Sequence, residues 1–313
     1  MRRARASLRP ALAAVLVLLP LRAGAAVYVA SQDGGALTRV DVPSEAAPVG
    51  AGAAALAAAP DGTLYLTHPD QRAISAVEAG TGRVLRRLPF AGQPFGLAVS
   101  EDGRALFVGD WQGGRLVRID ARSGAVEAEI ALGPEPAGLV RDRAGRLFVA
   151  ERGSDSVAVV DGATMTRLAR IGVGRAPFAL ALSPDERRLY VGNVRSNDLT
   201  AIDTAALTAL ATRPAGRSPY GVAVQADLIL VTNQESASVS VLDADLALRA
   251  TIPVGRYPEG IAVSEGRAYV ANWFSDDVSV IDLTQMREVA RRTVPGGPRA
   301  ALTLPAEPGG AAR

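Results

Sequence analysis

Three side chains that could take part in acid–base or metal chemistry occupy one position of a repeated pattern. His68, Asp110 and Glu151 each end a short strand of the Leu-Tyr-Val type in three successive repeats. In the other four repeats this position holds smaller polar residues, namely Ser31, Asn193, Asn233 and Asn272. One arc of one face is therefore expected to carry His68, Asp110 and Glu151.

Two interpretations of these three residues stay open. The favoured one is that each is a polar residue that hydrogen-bonds the turn which it begins, as the Asn residues do. The alternative pairs His68 with Asp110 as acid and base, or lets all three side chains bind a divalent cation. One histidine with two carboxylates is a generic set, so the sequence gives no confident catalytic or metal residue.

Composition excludes several chemistries. The chain has no Cys, and His68 is its one His, so thiolate nucleophiles, thiolate zinc sites and a site with several histidines are ruled out. All 34 basic residues are Arg, which removes lysine-based mechanisms. No phosphate-binding Gly-Lys loop and no Gly-x-Ser-x-Gly motif occurs, and the sequence implies no cofactor.

Aromatic residues stand in the polar loops that follow two of the repeated strands. Trp111 follows Asp110, and Trp273 with Phe274 follows Asn272. An aromatic ring in such a loop is a contact for a flat ligand or a partner, or it covers the neighbouring repeat. Both interpretations stay open.

Arginines recur in the loops expected on the same face. Arg175, Arg217 and Arg256 hold one equivalent position, and Arg299, Arg152 and Arg195 lie close to it in the pattern. A semicircle of guanidinium groups would attract an anion such as a carboxylate, a phosphate or a nucleic-acid backbone. The same loops carry carboxylates, so a solvated rim of ion pairs is the favoured interpretation. The carboxylates are Asp155, Asp198, Glu235, Glu259, Asp276 and Asp277.

These residues need a scaffold, and the repeat supplies it. The Leu-Tyr-Val strand returns seven times at steps of 37 to 42 residues. A strand ending in Asp, a charged strand, a Gly-x-x-Pro turn and a small apolar strand follow it in most copies. A period near forty with four short strands predicts an all-β, seven-bladed β-propeller with four antiparallel strands per blade.

The two ends of the repeat complete each other. The first copy, at residues 27–29, lacks an inner strand, and the last segment, at residues 300–304, is an inner strand without a following blade. Pairing of these strands would close the ring and leave no open sheet edge. The propeller is expected to span residues 27–304, with a disordered tail at 305–313.

The first 26 residues have the pattern of a secretory signal peptide. Four arginines precede an apolar run from Ala11 to Leu21, and small residues follow it. The run is about half as long as a bilayer crossing requires, so a retained anchor is the less favoured interpretation. This leader holds 5 of the 34 basic residues and no acid, so the remaining chain has 29 basic and 32 acidic residues, or a net charge of −3. The formal charge of +2 therefore belongs to the leader, and nucleic-acid binding is not favoured.

The repeat resembles that of the YVTN-repeat β-propeller family. The best copies are Leu230-Val231-Thr232-Asn233 followed by Val239–Asp243, and Tyr269-Val270-Ala271-Asn272 followed by Val278–Asp282. The resemblance extends from about residue 27 to 304. Similarity to secreted, YncE-like members implies a periplasmic propeller without assigned catalysis.

The sequence favours a periplasmic or secreted binding scaffold over an enzyme. It is expected to be a monomer with no transmembrane segment after cleavage, holding a partner protein or a small anionic ligand on the face that carries the Trp and Arg residues. One alternative is a lactonase-like hydrolase, or an accessory to quinone- or haem-linked oxidation, using His68, Asp110 and Glu151. The other is nucleic-acid binding through the Arg semicircle.

Overall fold

The computed structural model describes residues 25–305, and these form a ring of seven four-stranded antiparallel sheets. The seven-bladed propeller expected from the repeat is confirmed. Of the predicted leader only Ala25 and Ala26 are described, and Ala26 begins the first strand. The rest of the leader and residues 306–313 of the predicted tail lie outside the described residues. Within residues 25–305 no helix has both the length and the apolar character needed to cross a membrane.

Blade 1 combines the two ends of the chain, with strand order β28-β1-β2-β3. Its strands are β28 (Pro298–Leu304), β1 (Ala26–Ser31), β2 (Ala36–Arg39) and β3 (Ala47–Pro48).

The other six blades each use four consecutive strands, ordered from the channel outward. Blade 2 has β4 (Ala55–Ala58), β5 (Thr63–His68), β6 (Ala73–Glu78) and β7 (Val84–Pro89). Blade 3 has β8 (Pro94–Val99), β9 (Ala105–Asp110), β10 (Arg115–Asp120) and β11 (Val126–Ala131). Blade 4 has β12 (Pro136–Arg141), β13 (Arg146–Glu151), β14 (Ser156–Asp161) and β15 (Thr166–Gly172).

Blades 5 to 7 follow the same plan. Blade 5 has β16 (Pro177–Leu182), β17 (Arg188–Asn193), β18 (Asp198–Asp203) and β19 (Thr208–Pro214). Blade 6 has β20 (Pro219–Gln225), β21 (Leu228–Asn233), β22 (Ser238–Leu242) and β23 (Leu248–Pro253). Blade 7 has β24 (Pro258–Ser264), β25 (Arg267–Asn272), β26 (Asp277–Asp282) and β27 (Arg287–Thr293).

Ring closure is made by β1 and β28, as the sequence predicts. The two strands pair antiparallel with Ala26 opposite Leu304 and Tyr28 opposite Leu302. Val27 and Val29 of blade 1 pack into one core cluster with Tyr269 and Val278 of blade 7. The ends of the propeller are therefore held by both a hydrogen-bond ladder and apolar burial.

The hydrophobic core lies between neighbouring blades. One cluster joins Tyr65 and Ile74 of blade 2 to Leu106 and Val117 of blade 3, all of them buried. The outermost strands are largely exposed and charged, which discourages edge-to-edge pairing. Each blade is thus a sandwich layer whose two faces are covered by its neighbours.

Glycines on the inner strands let adjacent blades meet closely around the channel. A Cβ on Gly96 would lie 2.1 Å from the carbonyl oxygen of Ala137, and one on Gly221 would lie 2.3 Å from that of Glu259. Only a residue without a side chain fits at such a distance. The residues that precede these two glycines, Phe95 and Tyr220, line the mouth of the channel.

Candidate functional site

In six of the seven blades the residue that ends the second strand is a buried, hydrogen-bonded clasp, whereas the Ser31 hydroxyl of blade 1 has no partner among residues 25–305. His68 and Glu151 are 0% exposed and Asp110 is 2% exposed. Each makes its hydrogen bonds to a nearby loop or to a neighbouring strand of its own sheet. We call this set of strand-end residues the clasp position.

His68 is hydrogen-bonded in a similar way to the Asn residues that hold this position in other blades. Its Nδ1 donates to the carbonyl of Ala51 at 2.9 Å, and its Nε2 accepts from the Ser75 hydroxyl at 2.9 Å. Asn233 likewise donates to Ser240, seven residues further on, at 3.0 Å. Burial lowers the pKa of His68, which keeps the ring neutral as these two bonds require.

Asp110 and Glu151 are clasped in the same way, with an arginine added. Asp110 Oδ1 accepts from the backbone N–H of Gln93 at 2.9 Å, and its Oδ2 pairs with Arg115 at 3.0 Å. Glu151 accepts from the backbone N–H of Gly133 and from Arg170, both at 2.6 Å. Burial alone would favour the neutral acid, but these bonds lower the pKa of Glu151. Both carboxylates are therefore occupied by hydrogen bonds to loops and strands of their own blades.

The hydrogen bonds of His68, Asp110 and Glu151 therefore give these residues a structural role in their own blades. Among residues 25–305, no group of three or more His, Asp or Glu side chains is arranged to hold a metal ion. The acid–base and cation hypotheses for His68, Asp110 and Glu151 find no support in these contacts.

The recurring arginines join neighbouring loops at the rim by hydrogen bonds to backbone carbonyls. Arg217 donates from Nη2 to the carbonyl of Glu235 at 2.9 Å, and its backbone N–H donates to Ser236 at 2.9 Å. Arg175 and Arg256 repeat this arrangement, donating to the carbonyls of Arg195 and Phe274. Arg175, Arg195, Arg217 and Arg256 are all exposed.

A different position carries the variation between blades at the channel mouth. In six blades a Pro stands at the start of the inner strand, and in blade 2 Ala53 takes its place. The variable position is the residue that directly follows this Pro or Ala. In the six blades with a Pro, the antiparallel ladder is irregular here, and such irregularities re-aim side chains. We call these seven residues the mouth ring: Ala54, Phe95, Ala137, Phe178, Tyr220, Glu259 and Arg299.

One side of the mouth ring is aromatic. The ring centroids of Phe95 and Phe178 are 5.7 Å apart in an edge-to-face arrangement, which the small Ala137 between their blades permits. Tyr220 lies 4.1 Å from Phe178, and Trp111 lies 4.7 Å from Phe95. These four residues form a continuous aromatic wall, which we call the aromatic arc.

Arg299 contacts several residues around the channel mouth. Its Nη2 donates to the Tyr220 hydroxyl at 2.6 Å, and its Nη1 donates to Gln32 Oε1 at 2.5 Å. The guanidinium carbon lies 5.3 Å from the ring centroids of both Phe95 and Trp273, within cation–π range. Arg299 is thereby fixed beside the aromatic arc.

Glu259 is the unusual member of the mouth ring. It is 3% exposed, and its Oε1 accepts from Gln234 at 2.9 Å. Its Oε2 lies 3.5 Å from Arg299 Nε but accepts no hydrogen bond within the described residues. Burial raises the pKa of Glu259 to about 7, and the charge of Arg299 offsets only part of that effect.

Two cavities meet at the mouth ring. The inner one, about 220 Å³, follows the channel between the small residues of the inner strands. The outer one, about 400 Å³, opens above the ring and is lined by the aromatic arc, Arg152, Tyr257, Glu259 and Arg299. The outer cavity falls in the size range of small-molecule sites.

The structure brings some of the predicted residues together and separates others. Trp111, Arg152 and Arg299 line the outer cavity, and Trp273 lies against Arg299. Phe274 is 56% exposed and packs on Tyr257 at 4.8 Å. Arg175, Arg195, Arg217 and Arg256 stay at the rim, so the arginine semicircle does not converge on one point.

Sequence reasoning missed Phe95, Phe178 and Tyr220 as site residues, and it treated Glu259 only as a rim carboxylate. A signal was present, because the residue after the Pro of each Gly-x-x-Pro turn changes from apolar to aromatic to charged around the ring. A position that the fold requires should stay constant between repeats.

Comparison with known proteins agrees with this architecture. Residues 141–235 match the model of a family described as YNCE-like beta-propeller. Over this stretch the chain is similar to that family, and the seven four-stranded blades show that it is a β-propeller. No curated protein matches the sequence.

Several solved structures share the fold at low sequence identity. The periplasmic gluconolactonase PpgL of Pseudomonas aeruginosa is 19% identical with a TM-score of 0.75, covering 90% of this chain and 99% of that one. Hydrazine synthase of Kuenenia stuttgartiensis is 20% identical with a TM-score of 0.71, covering 80% and 88%. The dihydro-heme d1 dehydrogenase NirN is 18% identical with a TM-score of 0.66, and this chain covers only 64% of it. At such identities the likeness shows the fold alone.

Proposed function

We propose that this protein is an exported binding propeller that holds a small ligand in the outer cavity and has no chemistry of its own. The predicted leader supports export to the periplasm or beyond. The observation that carries the proposal is the mouth ring, where an aromatic arc and a buried carboxylate oxygen without a hydrogen-bond donor meet at a cavity of about 400 Å³.

The geometry of the outer cavity fits recognition better than catalysis. Ligand sites combine apolar surface with fixed polar groups, and the outer cavity joins the aromatic arc to Arg152, Glu259 and Arg299. Arg299 is held by Tyr220 and Gln32, so its position is set before a ligand arrives. Such a preorganised wall lowers the entropic cost of binding.

The two tryptophans make this proposal directly testable. Trp111 and Trp273 are the only Trp residues in the chain, so an NMR spectrum of ¹⁵N-labelled protein should show two indole N–H signals. We expect a set of small aromatic compounds of different charge to include members that shift both signals. Trp111→Phe and Trp273→Phe variants assign the signals.

Matched variants locate the binding. Phe178→Leu keeps an apolar side chain but removes a ring face, and we expect it to weaken binding about three- to tenfold, as loss of one aromatic contact implies. Arg217→Ala changes only the rim and should leave affinity unchanged. If no compound shifts either indole signal, or if Arg217→Ala weakens binding as much as Phe178→Leu does, the outer cavity is not the binding site.

The absence of catalysis can be checked separately. A carboxyl with a pKa near 7 could act as a general base, and a periplasmic gluconolactonase shares the fold. We expect the purified protein not to accelerate glucono-δ-lactone hydrolysis. Acceleration that Glu259→Gln abolishes would replace the binding proposal with a hydrolase.

A protein partner is the second candidate, favoured by the exposed Phe274 ring beside Tyr257 on this face. Pull-down from periplasmic extract should then recover a protein with the wild type and lose it with a Trp111→Ala, Trp273→Ala, Phe274→Ala variant. Equal recovery by both proteins would remove this candidate.

A further inference from the structure

The charges around the outer cavity do not favour an anion. Arg299 is paired with Glu259 and already donates to Tyr220 and Gln32. Arg152 is paired with Glu135 and lies 5.7 Å above the Trp111 ring. Each guanidinium group that reaches the cavity therefore has a carboxyl group of the protein beside it. An incoming anion would have to compete with these partners.

One buried acceptor beside the cavity has no hydrogen-bond donor among the described residues. Glu259 Oε2 is buried and accepts no hydrogen bond from any described residue, while Oε1 is satisfied by Gln234. A buried acceptor without a partner is costly, and a donor that reaches it recovers that cost. A cationic donor does so best, because charge-assisted bonds to carboxylates are the stronger kind.

The aromatic arc supplies the second half of the recognition. The rings of Phe95, Trp111, Phe178 and Tyr220 form one wall of the same cavity that Glu259 lines. Their faces carry the negative part of the ring quadrupole, so they attract a cation as well as a flat ring. The aromatic wall and the carboxylate thus favour the same class of molecule.

We propose that the outer cavity binds flat aromatic compounds that carry an ammonium or other N–H donor group, with the ring against the aromatic arc and the donor on Glu259 Oε2. This inference rests on the proposed function and narrows it, and it replaces the small anionic ligand expected from the sequence.

A matched set of probes separates the two contributions. Phenethylamine, phenethyl alcohol and 3-phenylpropionate have one ring and similar length but differ in charge, and 2-cyclohexylethylamine keeps the ammonium without the aromatic ring. From the strength of charge-assisted bonds, we expect phenethylamine to bind about tenfold more tightly than 3-phenylpropionate. Cyclohexylethylamine should be about threefold weaker than phenethylamine. Affinities come from the two Trp indole shifts.

Variants of two carboxyl groups, one in the outer cavity and one outside it, provide the control. Glu259→Gln should weaken phenethylamine about tenfold and leave phenethyl alcohol within about twofold. Glu45→Gln alters an exposed carboxyl in the loop between β2 and β3, outside the cavity lining, and it should leave both affinities within about twofold. Because the two probes are measured on the same variant, a folding defect would lower both affinities together. Circular dichroism confirms that each variant is folded.

The pH dependence gives a further arm. Alkyl ammonium groups stay protonated between pH 6 and 8, whereas Glu259 ionises near pH 7. Phenethylamine affinity should therefore rise with pH over this range, and that of phenethyl alcohol should stay flat. The charged or titratable groups that act on Glu259 are Arg299, Tyr220, Tyr257 and Asp33, and Glu235 lines the same cavity. The Glu259→Gln variant should lose the rise.

The outcomes distinguish this inference from the function that it narrows. If 3-phenylpropionate binds as well as phenethylamine, or Glu259→Gln leaves phenethylamine unaffected, the inference is overturned while binding at the outer cavity stands. If none of the four probes shifts an indole signal, the inference fails with them. If, in addition, no compound of the wider set shifts a signal, the proposed function fails too.

Discussion

The carboxyl group of Glu259 is buried, and burial disfavours its charged form. Its ordinary pKa of 4.5 rises to about 7 in the folded protein, so the native state binds a proton more tightly than the unfolded chain does. Between these two values the native state holds more protons, and the contribution of Glu259 to stability falls as pH rises. Such a residue is expected at a functional site more than in a scaffold.

A substitution measures this cost. Glu259→Gln removes the charge, so we expect it to raise the free energy of unfolding by about 1–3 kcal/mol at pH 8 and to have little effect at pH 5. Urea denaturation of both proteins across this range gives the difference, in which other titrating groups cancel. A difference that does not change with pH would show that Glu259 has its ordinary pKa.

His68 is the residue for which a catalytic and a structural role predict opposite results. His68→Asn installs the side chain that three other blades use at the clasp position, and we expect it to change the free energy of unfolding by less than about 1 kcal/mol. His68→Ala should cost about 2–4 kcal/mol, since it leaves a cavity and removes both hydrogen bonds. Thermal and urea denaturation measure both. Equal destabilisation by Asn and Ala would contradict the clasp.

The clasp also explains why a glycine recurs in the turn before the inner strand of blades 3 to 7. The backbone N–H of Gly216 donates to Asn233 Oδ1 at 2.9 Å. A Cβ at Gly216 would lie 2.3 Å from Asn233 Cγ, and one at Gly255 would lie 2.5 Å from Asn272 Cγ. The turn thus closes onto the strand-end side chain, and a blade without this glycine would have to open there.

Alanine at two glycines tests this close approach. Gly216→Ala should destabilise the protein by about 2–4 kcal/mol, because the new methyl group meets a buried side chain. Gly172→Ala on β15 is the matched control, since nothing lies within 4 Å of its Cβ position, and it should be neutral or slightly stabilising. Urea unfolding compares the two. Similar effects at both positions would mean that the turn is not packed on Asn233.

The ring as a whole depends on β28, which comes from the other end of the chain. In blade 1, β28 supplies the inner strand, and its residue Arg299 belongs to the mouth ring. Loss of β28 would expose the edge of β1 and open the ring. It would also remove Arg299, which contacts aromatic residues of the mouth ring, so ring closure supports both the stability of the propeller and the outer cavity.

Two rearranged chains test closure. A circular permutant that joins Pro305 to Ala26 by a short linker and opens at the Asp61-Gly62 turn should fold, since Ala26 and Leu304 are paired. Deletion of residues 298–313 should lower the melting temperature by more than about 10 °C or prevent folding. Thermal denaturation followed by circular dichroism decides. A truncated chain as stable as the wild type would contradict closure by β28.

The seven-bladed ring and its closure were predictable from the sequence, because both are written into a local pattern. Strand alternation, the Gly-x-x-Pro turn and the incomplete first and last copies each report on their own segment, and repetition strengthens the pattern. The comparison between repeats also located the clasp position, with its variation at His68, Asp110 and Glu151. Of the mouth ring, the sequence singled out only Arg299 as a binding residue.

The rest was decided by packing between blades that are far apart in the chain. Whether Phe95 meets Phe178, and whether Arg299 lies over Phe95, depends on the small Ala137 and Ala54 between their blades and on the close approach of the inner strands. No single repeat contains that information. The same packing buries Glu259 without a donor for Oε2, and burial, rather than residue type, turns a rim carboxylate into a candidate ligand contact.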